Sequence, residues 1–255
     1  MDDNAVRNLI STVDLISNNL DIRPDSWREQ VQAIRNTTTS LEILDTSPSE
    51  SRKRWQLPLV SVFQRVAFAD ADNGAIIDLA DWCLRQALTL LHLYPDDAEI
   101  LALIGRNWLL RAQKSLANIC RAERESSSSS AASILAPWHD TSSHEATTAR
   151  AFAEAEQRLH TGDYVEARGI LLPATEYLKR AVDTAFSQGS LTGTILSTAA
   201  EAHMSLGNVT SARVHDHYFQ QAMAYLRQAA EMSDYSLPMH LEQYLDEYGP
   251  LYPSS

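Results

Sequence analysis

The chain has little of the two residues that interrupt helices, with only 8 glycines and 9 prolines among its 255 residues. No proline lies between Pro95 and Pro137, or between Pro173 and Pro238. Long stretches without proline and with little glycine are what α-helices require. No stretch alternates apolar and polar residues with an excess of β-branched side chains, which is the pattern of a strand. We therefore predict an all-α fold without a sheet.

Cysteine is scarce as well, because Cys83 and Cys120 are the only two and both lie in apolar helical patterns. Two isolated cysteines indicate neither a disulfide framework nor a zinc site, and they fit a reducing compartment. The opening residues "MDDNAVRNLI" lack the basic segment of a secretory signal and the arginine-rich character of a transit peptide. No apolar run approaches the roughly 20 residues that cross a bilayer. We expect a cytoplasmic or nuclear protein that does not enter a membrane.

Positive charge is in the minority, since 33 acidic residues outweigh 21 basic ones and give a net charge of −12. Nucleic acids and anionic membranes attract proteins of positive surface potential. We therefore do not expect either one as a general partner.

The common sequence signatures of catalysis and of cofactor binding are missing. There is no GxGxxG, GxxxxGK[ST], GxSxG or CxxC. The stretch "HEATT" at 144–148 approaches the zinc-protease helix motif, but Thr148 stands where the second histidine ligand is needed. His215 and His217 are two residues apart and would point to nearly opposite sides of a helix, so they cannot share a metal. We predict no catalytic residue, no metal and no cofactor.

Apolar residues recur at intervals of three and four along most of the chain, which predicts nine to ten helices. They are expected at about 4–20, 25–41, from Pro58, and at 75–94, 96–124, 142–161, 163–187, 191–206, 209–232 and 237–248. The run "SSSSSAAS" interrupts this pattern with low-complexity sequence that is typical of eukaryotic linkers. The predicted domains are an N-terminal helical lobe (1–125), a serine-rich linker or loop (126–141), a C-terminal helical lobe (142–249) and a frayed tail (250–255).

Two kinds of segment suggest helical repeats. In "DAEILALIGRNWLLRA", large residues precede a small Gly105 and an aromatic Trp108, and the triplet Gly162–Tyr164 has a partial echo in 207–209. These features resemble the tetratricopeptide (TPR) repeat, in which a small residue lets the neighbouring helix approach closely. The resemblance implies an α-solenoid, and a helical bundle is the alternative. It also implies that Gly162 ends one helix in the left-handed conformation and that Asp163 begins the next.

TPR arrays bind extended or helical peptides along the concave face formed by the first helices of their repeats. The resemblance therefore implies partner-binding positions at Arg106, Leu109, Phe152, Glu156, Leu159, Ser197, Glu201 and Met204. Arg106 stands where chaperone-binding TPRs carry the first asparagine of their carboxylate clamp, and no matching lysine–asparagine set follows. We do not expect this chain to bind a chaperone C-terminal tail.

One predicted helix carries a local excess of basic residues. At 100° per residue they fall within an arc of about 140°, opposite its apolar side. They are Arg106, Arg111, Lys114, Arg121 and Arg124. In an acidic chain such a stripe is suited to docking an acidic segment of a partner, and a solvated helix face is the alternative. A second basic cluster, "SRKRW" at 51–55, is expected in a solvated loop.

These observations favour a non-catalytic adaptor or scaffold subunit that binds another protein through a helical groove or the arginine-rich helix. One alternative is an all-α enzyme whose site assembles only in three dimensions, in a deep pocket with several perturbed carboxylates. The other is a nucleic-acid-associated helical protein that uses the arginine-rich helix.

Overall fold

The computed structural model describes residues 3–43, 50–131, 153–154, 156–211 and 214–252. Within those ranges the chain forms helices and no strand, which confirms the all-α prediction. None of the described helices is both long enough and apolar enough to cross a bilayer. The helices are α1 (Asp3–Ile22), α2 (Trp27–Ile43), α3 (Glu50–Ala67), α4 (Ile77–Leu93), α5 (Ala98–Ala131), α6 (Gly162–Ser187), α7 (Gly193–Asn208), α8 (His215–Ala230) and α9 (Met239–Tyr248).

Helix α3 begins earlier than the sequence predicts. It starts at Glu50, so Pro58 lies inside the helix and not in its first turn. The expectation that "SRKRW" forms a solvated loop is therefore wrong. Arg52, Gln56 and Phe63 are buried at helical spacing, so one buried face continues on both sides of the proline. That burial holds the helix together although proline removes one backbone hydrogen bond.

Helix α5 is also longer than expected, with 34 residues and a length of about 50 Å at 1.5 Å per residue. Residues 126–131 of the predicted serine-rich linker form its last turns. Serine disfavours a helix only modestly, so a run of serines can continue one that has already begun. The rest of the predicted linker, and most of the helix predicted at 142–161, lie outside the described residues.

Two clusters of buried apolar side chains form the core, and they meet along α5. The first contains residues of α1, α2, α3 and α4, together with Ile100 and Ile104 of α5. The second begins at Leu109 and extends to Leu241 of α9. The Trp108 side chain packs against both clusters. The two cores divide inside α5, ahead of the serine run at which the sequence predicts a boundary between lobes.

Gly105 allows α5 and α6 to pack closely. A Cβ atom at this position would lie 2.6 Å from Leu178 Cγ and 3.2 Å from the carbonyl oxygen of Ala174. Gly207 has a similar role in α7, because a Cβ there would lie 3.0 Å from the Phe219 ring of α8. The close-approach role predicted for the small residue is thus confirmed for Gly105.

The prediction that Gly162 ends a helix in the left-handed conformation is wrong. Gly162 is the first residue of α6, and positive φ angles occur in the described glycines only at Gly74 (117°) and Gly189 (64°). The chain reverses before Gly162, where the Thr161 N–H and hydroxyl donate to the Arg158 carbonyl at 2.9 and 2.8 Å.

The residues after this turn pack against neighbouring helices, as predicted. Tyr164 and Ala167 are buried, and the Tyr164 hydroxyl donates to Glu123 Oε1 at 2.5 Å. Burial and the neighbouring carboxylate raise the pKa of Tyr164 to about 12. The Arg168 guanidinium donates to the Leu159 carbonyl at 2.7 Å and to the Val209 carbonyl at 2.8 Å. The segment therefore joins α6 to α5 and to the end of α7.

The first residues of the tail that was predicted to fray (250–255) are held by contacts with the rest of the protein. Residues Gly249–Leu251 form a 3-10 helix. Arg227 Nη2 donates to the carbonyl oxygens of Gly249 and Tyr252, and the Tyr252 ring packs against Phe219. Residues 253–255 lie outside the described part of the chain.

His203 is a buried polar residue in the second core. Its Nδ1 lies 2.8 Å from the Ala199 carbonyl oxygen, and its ring meets the Tyr225 ring edge-on with centroids 5.4 Å apart. Burial lowers the pKa of His203 below the ordinary value of 6.5, and His217 and Lys179 lower it further. The folded protein therefore resists protonation at this position.

We predict that His203 makes the protein less stable in mild acid. Between the lowered folded pKa and 6.5 the unfolded chain binds the proton more strongly, so the free energy of unfolding must fall as the pH falls through this window. Above pH 6.5 the effect is absent. Urea titrations of wild type and His203→Phe across pH 5 to 8 should show a shallower decline for the variant. The exposed His92→Phe is the control, and an equal decline in all three proteins contradicts the prediction.

We predict opposite effects for two Gly→Ala substitutions. Gly105→Ala should lower the free energy of unfolding by about 1–3 kcal/mol, because the new methyl group overpacks the contact with α6. Gly169→Ala should raise it by about 0.5–1 kcal/mol, since this exposed position inside α6 has open space around it. Denaturant unfolding measures both changes, and a destabilisation of Gly169→Ala as large as that of Gly105→Ala would contradict the packing described above.

Candidate functional site

The basic residues predicted along α5 do not form one free stripe. Arg106, Lys114 and Arg121 are exposed, whereas the Arg111 side chain is 16% exposed. Arg111 Nη2 donates to Asp81 Oδ1 at 2.7 Å, so its charge is neutralised by a carboxylate of α4.

Arg111 also belongs to a hydrogen-bond network between helices. Its Nε donates to Asn107 Oδ1 at 2.7 Å, and Asn107 Nδ2 donates to Gln64 Oε1 at 2.9 Å. Gln64 Nε2 in turn donates to the Leu103 carbonyl at 3.2 Å. Buried polar groups that satisfy one another in this way fix the arrangement of their helices, here α3, α4 and α5. Arg111 is therefore a structural residue in this fold.

Arg106 faces a surface groove. Two depressions, of about 690 and 260 Å³, adjoin each other along the first turns of α5. Ser61, Glu99 and Leu103 line both of them, so the depressions form one continuous groove between α3, α5 and the start of α7. We call this feature the α5 groove.

The larger depression is lined by both apolar and basic side chains. Leu57, Pro58, Tyr94 and Leu103 supply the apolar surface. Lys53 and Arg54 supply the positive charge.

The smaller depression combines polar groups with the apolar side chains of Ala98, Ala102, Leu103 and Ile195. Arg106 lies on its α5 side, and the hydroxyl residues Ser190, Thr192, Thr194 and Thr198 lie on its α7 side. Both halves of the groove therefore pair apolar surface with an arginine, and the smaller half adds hydroxyl groups.

The ion pairs leave part of the groove's charge unpartnered. Lys53 pairs with Asp97 and lies over the Tyr94 ring, with Nζ 5.8 Å from the ring centroid. Arg54, Arg106 and Glu99 form no ion pair with any residue of the described ranges. Two guanidinium groups and one carboxylate without an ion-pair partner in the described ranges therefore line the groove, which gives it a local positive excess in a chain of net charge −12.

The partner-binding positions predicted on α7 are covered by the chain itself. Ser197 is buried and its Oγ lies 2.8 Å from the Tyr235 hydroxyl, while Glu201 Oε1 lies 3.2 Å from His240 Nε2. Met204 is buried in the second core. The segment before α9 can lie here because Gly193 has no side chain, and a Cβ at that position would lie 2.1 Å from the Tyr235 ring.

The remaining predicted positions do not line the α5 groove either. Leu109 is buried in the second core. Glu156 and Leu159 are half-buried, and the Leu159 carbonyl accepts from Arg168. Phe152 lies outside the described residues. Of the positions implied by the repeat resemblance, Arg106 is the one that the structure places in the groove.

Sequence reasoning missed most of the groove's lining. Leu57 and Leu103 carry no sequence signal that sets them apart from other apolar helix positions, and none of the hydroxyl residues that line the groove at 190–198 belongs to a motif. One signal was present, because the basic residues of "SRKRW" and the apolar Leu57 and Pro58 lie on one helix. The register of α3 was needed to see that Lys53, Leu57 and Ser61 share a face.

Comparisons with protein-family models, with curated proteins and with solved structures gave no match for this chain. Within the described ranges, no three or more histidine, cysteine, aspartate or glutamate side chains are grouped so as to hold a metal ion. The "HEATT" stretch lies outside those ranges. The groove offers guanidinium and hydroxyl donors beside apolar surface, which is the chemistry of recognition of an acidic ligand.

We predict that Arg111 and Arg106 differ in their contribution to stability. Arg111→Ala should lower the free energy of unfolding by about 1–3 kcal/mol, because it leaves Asn107 and Asp81 without a charged partner. Arg106→Ala should change it by less than about 0.5 kcal/mol, since this side chain is exposed and has no ion-pair partner among the described residues. Chemical denaturation tests both, and similar losses in the two variants are incompatible with the assignment.

Proposed function

We propose that this protein is a non-catalytic adaptor or scaffold subunit that binds an acidic segment of a partner protein in the α5 groove. The observation that carries the proposal is that two arginines, Arg54 and Arg106, lie beside apolar surface and pair with no carboxylate in the part of the chain that the structure describes, in an otherwise acidic molecule. Complementary charge steers a partner and fixes its orientation, and apolar contact supplies affinity.

The shape of the groove supports a polypeptide ligand. Its two depressions adjoin along the side of α5 and open to solvent, so an extended or helical segment fits lengthwise. A nucleic acid fits less well, because nucleic-acid binders neutralise many phosphates and two free arginines neutralise few.

We further propose that the chain is a degenerate TPR-like helical repeat. Consecutive helices from α5 to α8 pack each against the next, and Gly105 and Gly207 permit close approach within this series. These features support a solenoid over a closed bundle. An intracellular, cytoplasmic or nuclear, setting is part of the same proposal, because Cys83 and the exposed Cys120 are both unpaired and a reducing compartment protects such thiols.

Charge reversal in the groove tests the proposal. Arg54→Glu/Arg106→Glu should abolish capture of the native partner from extract of the source cells, because an acidic segment would then face two added carboxylates. The matched control is Arg121→Glu/Arg124→Glu, which makes the same change of charge at exposed positions of α5 outside the groove. Quantitative mass spectrometry of the captured proteins measures the loss.

The proposal requires a partner that the wild type and the control variant both retain and that the groove variant loses. Raised salt should weaken the same complex, because exposed charges are screened. Equal capture by all three proteins, or no stable partner for any of them, would reject the groove as the binding surface. Binding of single- or double-stranded nucleic acid at low salt that depends on the same arginines would favour the nucleic-acid alternative instead.

A further inference from the structure

We infer that the α5 groove selects a segment in which one apolar side chain stands close to one carboxylate. The apolar side chain occupies the larger depression, and the carboxylate binds Arg106 in the smaller one. This inference rests on the proposed function and specifies the ligand of the same groove.

The larger depression is suited to an apolar anchor. Its volume of about 690 Å³ lies within the range of about 300–1,000 Å³ that is usual for ligand pockets. Leu57, Pro58 and Leu103 give it apolar surface. Lys53 is held by Asp97 and by the Tyr94 ring, so its charge is already balanced. An apolar side chain therefore meets apolar surface without stripping water from a free lysine, and the exposed Arg54 of the same depression keeps its charge in solvent.

The smaller depression is suited to a single carboxylate. The Thr192 hydroxyl accepts from the Ile195 N–H, and the Thr198 hydroxyl donates to the Thr194 carbonyl. Those two hydroxyls are engaged, whereas the side-chain hydroxyls of Ser190 and Thr194 have no hydrogen-bond partner in the described ranges. A guanidinium and two free hydroxyls are donors to an oxyanion, which a carboxylate of the partner matches.

Glu99 limits how much negative charge the groove accepts. Its side chain lines both depressions and forms no ion pair within the described residues. Its negative charge offsets part of the positive charge of Arg54 and Arg106, so a second carboxylate in the ligand, or the double charge of a phosphate, meets both attraction from the arginines and repulsion from Glu99. Glu99 therefore discriminates against polyacidic and phosphorylated segments in favour of a single acid with an apolar neighbour.

Selection from a random displayed peptide library tests the inference. The library is selected on the wild type and depleted on Arg54→Glu/Arg106→Glu, so that the surviving peptides depend on the groove. The enriched peptide is then synthesised in four forms. The first is unchanged, the second (the amide form) has its acidic residue replaced by the corresponding amide, and the third has its apolar residue replaced by alanine. The fourth (the polyacidic form) has further acidic residues next to the original one. Calorimetric titration gives the dissociation constants.

Double-mutant cycles locate each contact. Arg106→Ala should weaken the unchanged peptide by about tenfold or more and leave the amide form nearly unaffected, because the lost interaction is the one with the carboxylate. Leu57→Ala should weaken the unchanged peptide and leave the peptide with alanine in place of its apolar residue nearly unaffected. Because Leu57 is only half-buried, the fold should persist in this variant. Glu99→Gln should tighten binding of the polyacidic form more than that of the unchanged form. Thermal unfolding confirms that each variant is folded.

The outcomes separate the two proposals. Enriched peptides that need the groove arginines but show no coupling between Arg106 and an acid, or between Leu57 and an apolar residue, overturn the inference and leave the binding surface in place. If Glu99→Gln has the same ratio of affinities for the unchanged and the polyacidic peptide as the wild type, the role proposed for Glu99 is wrong. Peptides that bind the depleting variant equally well, or no enrichment on the wild type, contradict the proposed function itself.

Discussion

The structure depends on the packing of α5, the helix that both hydrophobic clusters share. Its first turns complete the core formed with α1, α2, α3 and α4, and from Leu109 onward it belongs to the second core. Gly105 lies where α5 passes from the first core to the second, and the absence of a side chain there allows α6 to approach the helix. Trp108, one turn further on, packs against both cores. Residues of the first turns of α5 also line both depressions of the groove.

The placement of α5 also determines which of its charges are free. A residue on the side toward α3 and α4 must satisfy its polar groups within the protein, as Arg111 and Asn107 do. Arg106, the residue before Asn107, is exposed outside that interface, lines the groove and has no ion-pair partner among the described residues. Two basic residues of the same predicted stripe thus have different roles, because one meets Asp81 and the other meets solvent. The helix register alone does not distinguish them.

The sequence predicted features that depend on neighbours along the chain and missed those that depend on distant partners. Helical periodicity was sufficient for the all-α class, and local spacing was sufficient for the roles of Gly105, Tyr164 and Ala167. The ion pair of Arg111 with Asp81, the burial of Ser197 against Tyr235 and the helical state of "SRKRW" depend on contacts made only after folding. The same limit applies to the groove, whose two walls come from α3 and from the start of α7, far apart in the sequence.

The central claim is that the α5 groove is the surface on which a partner lies. Site-specific photocrosslinking tests it most directly, with the photoreactive residue placed at Ser61, which lines both depressions, and in a second protein at Leu172, an exposed position on α6. We expect the Ser61 protein to crosslink to a segment of the native partner that contains an acidic residue, and the Leu172 protein not to do so. Crosslinks to the partner from Leu172 but none from Ser61 would contradict it.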